Sequence, residues 1–131
     1  MTKKIRIGQK GEEIASNYLE NRGYEIITRN YRKKFGEIDI IVRSSDSILV
    51  FVEVKTLFSA KQGEYENLDS LSPEDNFTTQ KGKRVKQTCE FFAAKYPKLI
   101  DEEKGWRIDL IAIEISESDE KNPIIRHYEN V

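Results

Sequence analysis

The stretch Gly36–Lys55, GEIDIIVRSSDSILVFVEVK, decides the fold, because it reads as two strands joined by a turn. Its apolar runs at 38–42 and 48–52 are rich in β-branched residues, which favour strands. The polar break at 43–47 is typical of a hairpin loop. A three-residue loop at 45–47 predicts a register in which the numbers of paired residues add up to 92.

Three charged side chains, those of Asp39, Glu53 and Lys55, interrupt this apolar pattern. Side chains alternate between the two faces of a strand, so Glu53 and Lys55 share one face. The predicted register sets Asp39 directly opposite Glu53, with Cβ atoms roughly 4.5–5.5 Å apart. Two carboxylates that close repel each other unless a cation lies between them.

A hard cation such as Mg²⁺ or Mn²⁺ suits a pair of carboxylates together with water and a substrate phosphate. Lys55 would face the same phosphate, so the pattern predicts a site that cleaves phosphodiester bonds. The alternative interpretation is a solvated strand face, on which a Glu-x-Lys pair is common.

Length and composition indicate a globular protein of one domain, with 131 residues, 37% hydrophobic and 34% charged. No apolar run approaches the roughly 18 residues of a membrane span, and the first residues lack an apolar signal core. We therefore expect a cytoplasmic protein. The single cysteine, Cys89, and the single histidine, His127, argue against an internal disulfide and a zinc cluster. Cys89 is interpreted as a small buried hydrophobic residue and His127 as structural or exposed.

The net charge of −1 hides a strong segregation of charge along the chain. Residues 1–34 carry nine Lys/Arg against four Asp/Glu, and residues 79–98 carry six against one. Residues 35–78 carry three Lys/Arg against nine Asp/Glu, and residues 99–131 carry four against nine. If the two basic segments converge, they form a groove that attracts phosphates. The alternative is that charge simply segregates onto helix surfaces.

Two helices are predicted on either side of the hairpin. The first spans 8–22 and ends at Gly23, with Glu12 about 90° from its apolar face and Glu13 nearly opposite that face. Glu12 can therefore face a site, although a role beside the helix dipole is the alternative. The second begins at Thr78 or Thr79 and runs to about Tyr96.

Lys81 lies on the inward side of the second helix, close to its N-terminus, where a phosphate can bind the free N–H groups. Strands are predicted at 24–32, at 106–115 and, in a short form, at 124–128. Asp109 is expected to form a structural salt bridge with Arg107 or another base. A long surface loop is predicted at 58–77.

The order of these motifs resembles the YraN family of small bacterial proteins. The resemblance covers nearly the whole chain and is carried by Gly8-x-x-Gly11-Glu12, Gly23-Tyr24, Asn30-Tyr31-Arg32, Gly36-Glu37-Ile38-Asp39, Phe51-Val52-Glu53-Val54-Lys55, Lys81-x-x-Arg84 and Arg107-Ile108-Asp109. That family is assigned to the PD-(D/E)XK nuclease superfamily and is similar to archaeal Holliday-junction resolvases. The resemblance implies an α/β, restriction-endonuclease-like fold, with a central mixed β-sheet flanked by helices in the order αβββαβ(β).

The resemblance also implies roles for individual residues. Asp39, Glu53 and the Val54 carbonyl would bind Mg²⁺ or Mn²⁺, and Lys55 would orient or activate the attacking water. Glu12 would complete the metal shell or hold Lys55. The residues expected to bind nucleic acid are Arg32, Lys33, Lys34, Lys81 and Arg84. The chain departs from the family at Thr56, where arginine is common, and in the longer loop at 58–77.

The sequence therefore predicts a Mg²⁺-dependent endodeoxyribonuclease that hydrolyses phosphodiester bonds in DNA, with branched or flapped DNA as the candidate substrate. The expected partner is DNA, without a membrane, and a substrate with two-fold symmetry would favour a homodimer. The alternative from another class is a nucleic-acid-binding module that keeps the nuclease fold and has lost catalysis.

Overall fold

A mixed five-stranded sheet carries one long helix on each face in the computed structural model, which describes residues 2–59 and 80–131. The elements are α1 (Lys3–Asn21), β1 (Glu25–Lys33), β2 (Gly36–Arg43), β3 (Leu49–Ser59), α2 (Gln80–Lys95), a 3₁₀ turn (Pro97–Leu99), β4 (Trp106–Ser116) and β5 (Asp119–Tyr128). The strands lie in the order β1-β2-β3-β4-β5, and β3 and β4 are parallel while the other neighbours are antiparallel. The predicted α/β class, with helices flanking a mixed sheet, is confirmed.

The register of the central hairpin is the predicted one. Ile40 pairs with Val52 and Arg43 with Leu49, so the numbers of paired residues add up to 92. The Ser44 N–H donates to the Ile48 carbonyl at 2.9 Å, which leaves three residues in the loop. Ser47, the last of them, has a φ of 71° and turns the chain back into β3. This combination is the usual form of a three-residue hairpin loop.

Several predicted boundaries are wrong. Helix α1 begins at Lys3 and not at residue 8, because the Thr2 side chain accepts a hydrogen bond from the Ile5 N–H at 3.2 Å and caps the helix five residues earlier. Its end is as predicted, since Gly23 adopts a φ of 88°. Strand β5 is longer than the predicted 124–128, because β4 and β5 pair from Ser116 with Asp119 onward.

Strand β3 also extends beyond the predicted end of the hairpin. Phe58 and Ser59 pair with β4 and belong to the strand, so the first two residues of the predicted loop are not a loop. The rest of that loop, together with Thr78 and Thr79 as helix caps, lies outside the described residues.

Two hydrophobic clusters lie on opposite faces of the sheet and fix the two helices. On one face, Ala15 and Leu19 of α1 pack against residues such as Val52 and Ile111. On the other face, the α2 stripe of Val85, Cys89 and Phe92 packs against Ile41 and Phe51. Fully burying each large apolar side chain stabilises the fold by roughly 1.5–3 kcal/mol. Burial raises the pKa of the Cys89 thiol, in agreement with its interpretation as a hydrophobic residue.

No helix in the two described ranges combines the length and the apolarity needed to span a membrane.

Candidate active site

Strands β2 and β3 separate beyond the pair Ile40–Val52, and the acidic side chains lie in the resulting fork. We call Asp39 and Glu53–Lys55 the fork residues. The Val54 N–H donates to Asp39 Oδ2 at 2.8 Å. A side chain of β2 thus takes the place that a main-chain carbonyl would hold in a continuing ladder. This hydrogen bond fixes the Asp39 carboxylate beside β3.

Glu53 is nearly enclosed, with 5% of its surface exposed, and it shares the fork with Asp39. Burial, followed by the neighbouring Asp39 charge, raises the pKa of Glu53 to about 8. Burial likewise raises the pKa of Asp39, although the Val54 N–H acts in the opposite direction. Burial and the Asp39 charge, the two main causes of the Glu53 shift, indicate that two ionised carboxylates are unfavourable here without a compensating cation.

Two lysines supply positive charge to the fork. Lys81, in the first turn of α2, places its Nζ 3.9 Å from Glu53 Oε2. Lys55 is half-buried, and burial, followed by the adjacent Lys81, lowers its pKa to about 8. Lys55 is therefore partly neutral near pH 8 and can accept or donate a proton there.

Glu12 reaches the site from α1, as predicted, while Glu13 is exposed and pairs with Arg29 at 3.0 Å. Burial, followed by the Asp39 charge, raises the pKa of Glu12. The approach of α1 depends on Gly11, where a Cβ would overlap the Thr56 hydroxyl of β3.

Helix α2 makes a similar close approach on the opposite face of the sheet. A Cβ on Gly36, at the start of β2, would lie 2.5 Å from the Thr88 hydroxyl and 3.0 Å from the Arg84 carbonyl. The absence of a side chain at Gly36 therefore lets α2 bring Lys81 to the fork. A pocket of about 400 Å³ lies there, bordered by Asp39, Glu53 and residues of α2.

The donors at the fork fit a hard divalent cation of the Mg²⁺ kind. Within residues 2–59 and 80–131, no three His, Cys, Asp or Glu side chains group closely enough to hold a metal ion. Mg²⁺ needs only one or two carboxylates, because water and substrate phosphate complete its shell. Asp39 and Glu53 would supply that pair. Glu12 lies near this pair without forming a three-residue group with it.

The residues expected to bind nucleic acid border the fork. Arg32, Lys33, Lys34 and Arg84 line a second pocket of about 560 Å³. Arg84 also lines the fork pocket together with Lys81. The two basic segments of the sequence therefore meet at this surface. Arg32 Nε additionally pairs with Glu37 Oε2 at 3.1 Å.

Sequence reasoning missed two residues that act on the site. A hydrogen bond from the Asn30 side chain lowers the pKa of Glu12, against the larger effect of burial. Asn30 has a φ of 54°, and this left-handed backbone lets Arg29 face α1 while Tyr31 faces α2. Glu37 lines both pockets and raises the pKa of Glu53 as a minor contributor. Asn30 and Glu37 both lie in motifs that carry the resemblance to the YraN family. Those motifs were the sequence signal by which the two residues could have been identified.

Asp109 belongs to a separate buried network, and the predicted salt bridge is confirmed. Its carboxylate accepts from Arg107 Nε at 2.9 Å and lies 2.7 Å from His127 Nε2. Burial acts to raise the pKa of Asp109, but the hydrogen bonds from His127, Arg107 and the Asn130 N–H hold it below its ordinary value. The other ring nitrogen of His127 lies 3.2 Å from the Tyr18 hydroxyl. The network ties β4, β5 and α1 together.

Comparison with protein families gives a match over most of the chain. The model of the uncharacterised protein family UPF0102 matches residues 11–113, a range that contains Glu12, the fork residues and Lys81.

Curated relatives carry the same family name. The UPF0102 protein of Campylobacter fetus subsp. fetus is 37% identical over 112 residues, which cover 86% of this chain and 87% of the relative. That of Dictyoglomus turgidum is 41% identical over 86 residues, or 66% of this chain and 65% of the relative. That of Syntrophus aciditrophicus is 56% identical over 63 residues. This last match spans about half of the relative (49%) and 48% of this chain.

Among solved structures, the chain is similar to Pyrococcus furiosus SfsA in complex with Ca²⁺. The TM-score is 0.38 and the sequence identity 17%, over 96% of this chain and 63% of the SfsA chain.

Proposed function

The chain belongs to the uncharacterised protein family UPF0102, or YraN family, and from that premise we propose that it is a metal-dependent endodeoxyribonuclease. The observation that carries the proposal is the fork, where the Asp39 carboxylate is held 2.8 Å from the Val54 N–H and Lys81 lies 3.9 Å from Glu53. A buried carboxylate, that of Glu53, and a partly buried one, that of Asp39, lie beside two lysines at the edge of a basic pocket, and such a group of charges does not contribute to a hydrophobic core.

The fork residues have two tasks in the proposed reaction, cation binding and proton transfer or charge stabilisation. Asp39, Glu53 and the Val54 carbonyl would together hold the cation. When bound, a divalent cation polarises the scissile phosphate and lowers the pKa of water. Lys55, with its pKa lowered to about 8, takes up the proton of the attacking water or stabilises the charge of the transition state. Lys81 and Arg84 offset the charge of the neighbouring phosphates.

Glu12 has an indirect role in the proposed reaction and does not contact the reacting atoms. Glu12 is partly buried and close enough to Asp39 for the two charges to interact. Its negative charge therefore adds to that of Asp39 and Glu53 and favours the binding of a cation beside them. We propose Mg²⁺ or Mn²⁺ as the cation, because both accept carboxylate and carbonyl oxygens.

A cleavage assay tests the proposal most directly. Matched linear, flapped and four-way DNA substrates are incubated with wild type, with and without Mg²⁺ or Mn²⁺. Lys55→Ala keeps both carboxylates, so we expect the metal to bind while the cleavage rate falls on the order of 10²–10³-fold. Glu53→Gln keeps the shape of the side chain and should lose both metal binding and cleavage. The control is Lys83→Ala, which removes an exposed α2 lysine and should cleave like wild type.

The rival function, a binding module without catalysis, gives a different result in the same assay. Wild type and Lys55→Ala would then show the same trace activity under identical metal conditions, which would identify a contaminant. A thermal shift with Mn²⁺ separates the two further, because an ion that binds only the folded protein raises its stability in proportion to RT ln(1 + [Mn²⁺]/Kd). A pure binding module has no need of that ion at Glu53.

A further inference from the structure

Two aromatic rings, those of Phe35 and Phe91, are in contact, and we call them the aromatic pair. Phe35 borders the 560 Å³ pocket lined by Arg32, Lys33, Lys34 and Arg84, which we call the basic pocket. Phe35 belongs to the turn between β1 and β2 and lines the pocket. Phe91 lies on α2, and its ring centroid is 5.4 Å from that of Phe35, with the planes at 66°. The pair thus bridges the β1–β2 turn and the outer surface of the helix.

Core packing does not account for Phe91. Its neighbour Phe92 is 3% exposed and fills the cluster beneath α2, whereas Phe91 is 40% exposed. Single exposed apolar residues are ordinary on protein surfaces. Here, however, the exposed ring meets a second ring edge to face. A cation also lies over it, because Lys33 Nζ is 5.3 Å from the Phe91 centroid.

The aromatic pair is continuous with the candidate active site. The basic pocket and the fork pocket share Gly36, Glu37 and Arg84 as lining residues. A strand whose scissile phosphate lies at the fork can therefore run over Gly36 towards Phe35. Along that path the pocket wall is basic, with Arg32, Lys33, Lys34 and Arg84 against the single carboxylate of Glu37.

We propose that the aromatic pair stacks against unpaired bases and so directs the enzyme to a single-stranded segment of its DNA substrate. This inference rests on the proposed function and specifies its substrate class. Proteins that bind single strands combine a basic groove with aromatic side chains on which bases stack. In a duplex the base faces are occupied by their neighbours, so a duplex reaches the cations of the groove but not the rings.

A binding experiment without cleavage tests the stacking. Two fluorescent single strands of equal length, one intact and one with an abasic central stretch, carry the same phosphates and differ only in their bases. Anisotropy titrations are run in EDTA, so that no strand is cut. We expect wild type to bind the intact strand on the order of tenfold more tightly, the effect of stacking one or two bases.

Variants of Phe91 locate the effect. Phe91→Ala should bind both strands equally, with the salt dependence of wild type, because its phosphate contacts are intact. Phe91→Tyr keeps a ring and should keep the preference. Ile5→Ala, which truncates another exposed apolar side chain, on α1, is the matched control and should also keep it.

The outcomes separate this inference from the proposed function. If wild type binds the abasic and intact strands equally, or if Phe91→Ala retains the preference, the aromatic pair does not stack on bases and the inference is overturned. Salt-dependent binding of duplex DNA in that case leaves the proposed function standing. If neither single strands nor duplex bind at any salt concentration, the proposed function falls as well.

Discussion

At the scale of single residues, Glu53 contributes to the pH dependence of the stability of the metal-free protein. The unfolded chain releases the Glu53 proton near pH 4.5, whereas the folded protein keeps it until about pH 8. Over that interval the folded state binds more protons, so the free energy of unfolding falls as the pH rises. The ion pair with Lys81 offsets part of this loss.

We therefore expect Glu53→Gln to stabilise the protein in EDTA at pH 8 and to have little effect at pH 5, where Glu53 is already neutral. Thermal melts of both proteins at the two pH values measure this difference. Glu13→Gln controls for the removal of an exposed carboxylate from the same protein. An equal gain in Tm at pH 5 and pH 8 would contradict the burial of an ionisable Glu53.

Individual residues also show what the sequence could and could not predict. That Asp39 and Glu53 lie at one site follows from strand alternation and loop length, both of which are local. The predicted direct pairing of Asp39 with Glu53 is not formed, because the β2–β3 ladder ends at Ile40–Val52 and the Asp39 side chain instead accepts from the Val54 N–H. Glu12 follows from the helical period in the same way. The partner of Asp109 depends on the pairing of β4 with β5 and on the position of α1, so His127 could not be assigned to it from local pattern. Asn30 adopts a φ of 54°, and its effect, Arg29 facing one helix and Tyr31 the other, is visible only once both helices are packed on the sheet.

At the scale of elements, the contact between α1 and β3 positions Glu12. Gly11 lies against Thr56 so closely that a methyl group would overlap the hydroxyl, whereas Gly8, one turn earlier, has open space around it. Helical spacing predicted that both glycines lie in or at the start of the helix. The difference between them depends on a strand more than forty residues away and is visible only in the fold.

Gly11→Ala should destabilise the protein by about 1–3 kcal/mol, the usual cost of overpacking a core. Gly8→Ala is the matched control and should be neutral or stabilising by up to about 1 kcal/mol, since alanine favours helices over glycine. Urea unfolding of both variants measures the difference.

The double variant Gly11→Ala/Thr56→Ala removes the overlapping hydroxyl and should recover part of the loss. Its recovery would be partial, because the Thr56 Cβ itself would remain 3.0 Å from the new methyl group. Equal stability of Gly11→Ala and Gly8→Ala would mean that α1 does not approach β3 as described.

At the scale of the whole molecule, the fold brings basic residues from two separate segments of the sequence together on one surface. The basic residues that line the 560 Å³ pocket come from the two basic segments, through the end of β1, the β1–β2 turn and α2. The sequence predicted this convergence as one of two alternatives, since charge that lies along helix surfaces gives the same composition. Which of the two alternatives holds depends on the packing of α2 against β2, and Gly36 permits that packing because it has no side chain.

Removing these charges should weaken DNA binding and flatten its salt dependence. Each lost phosphate contact lowers the slope of log K against log salt by roughly one. We expect that change for Lys81→Ala and a larger one when Arg32, Lys33 and Lys34 are all replaced by alanine. Lys121→Ala, at an exposed position on β5, is the control. Unchanged slopes in the first two variants would mean that this basic surface does not contact the phosphates of bound DNA.

The hydrogen bond between the Val54 N–H and Asp39 has a spectroscopic consequence. An amide that donates to a carboxylate senses the charge of that carboxylate, whereas its neighbours in β3 donate to neutral carbonyls of the sheet. The nitrogen and proton resonances of Val54 therefore report the protonation of Asp39 and the arrival of a cation beside it. The Val54 amide is therefore a built-in NMR probe of the fork, and its use requires only ¹⁵N labelling and no substrate.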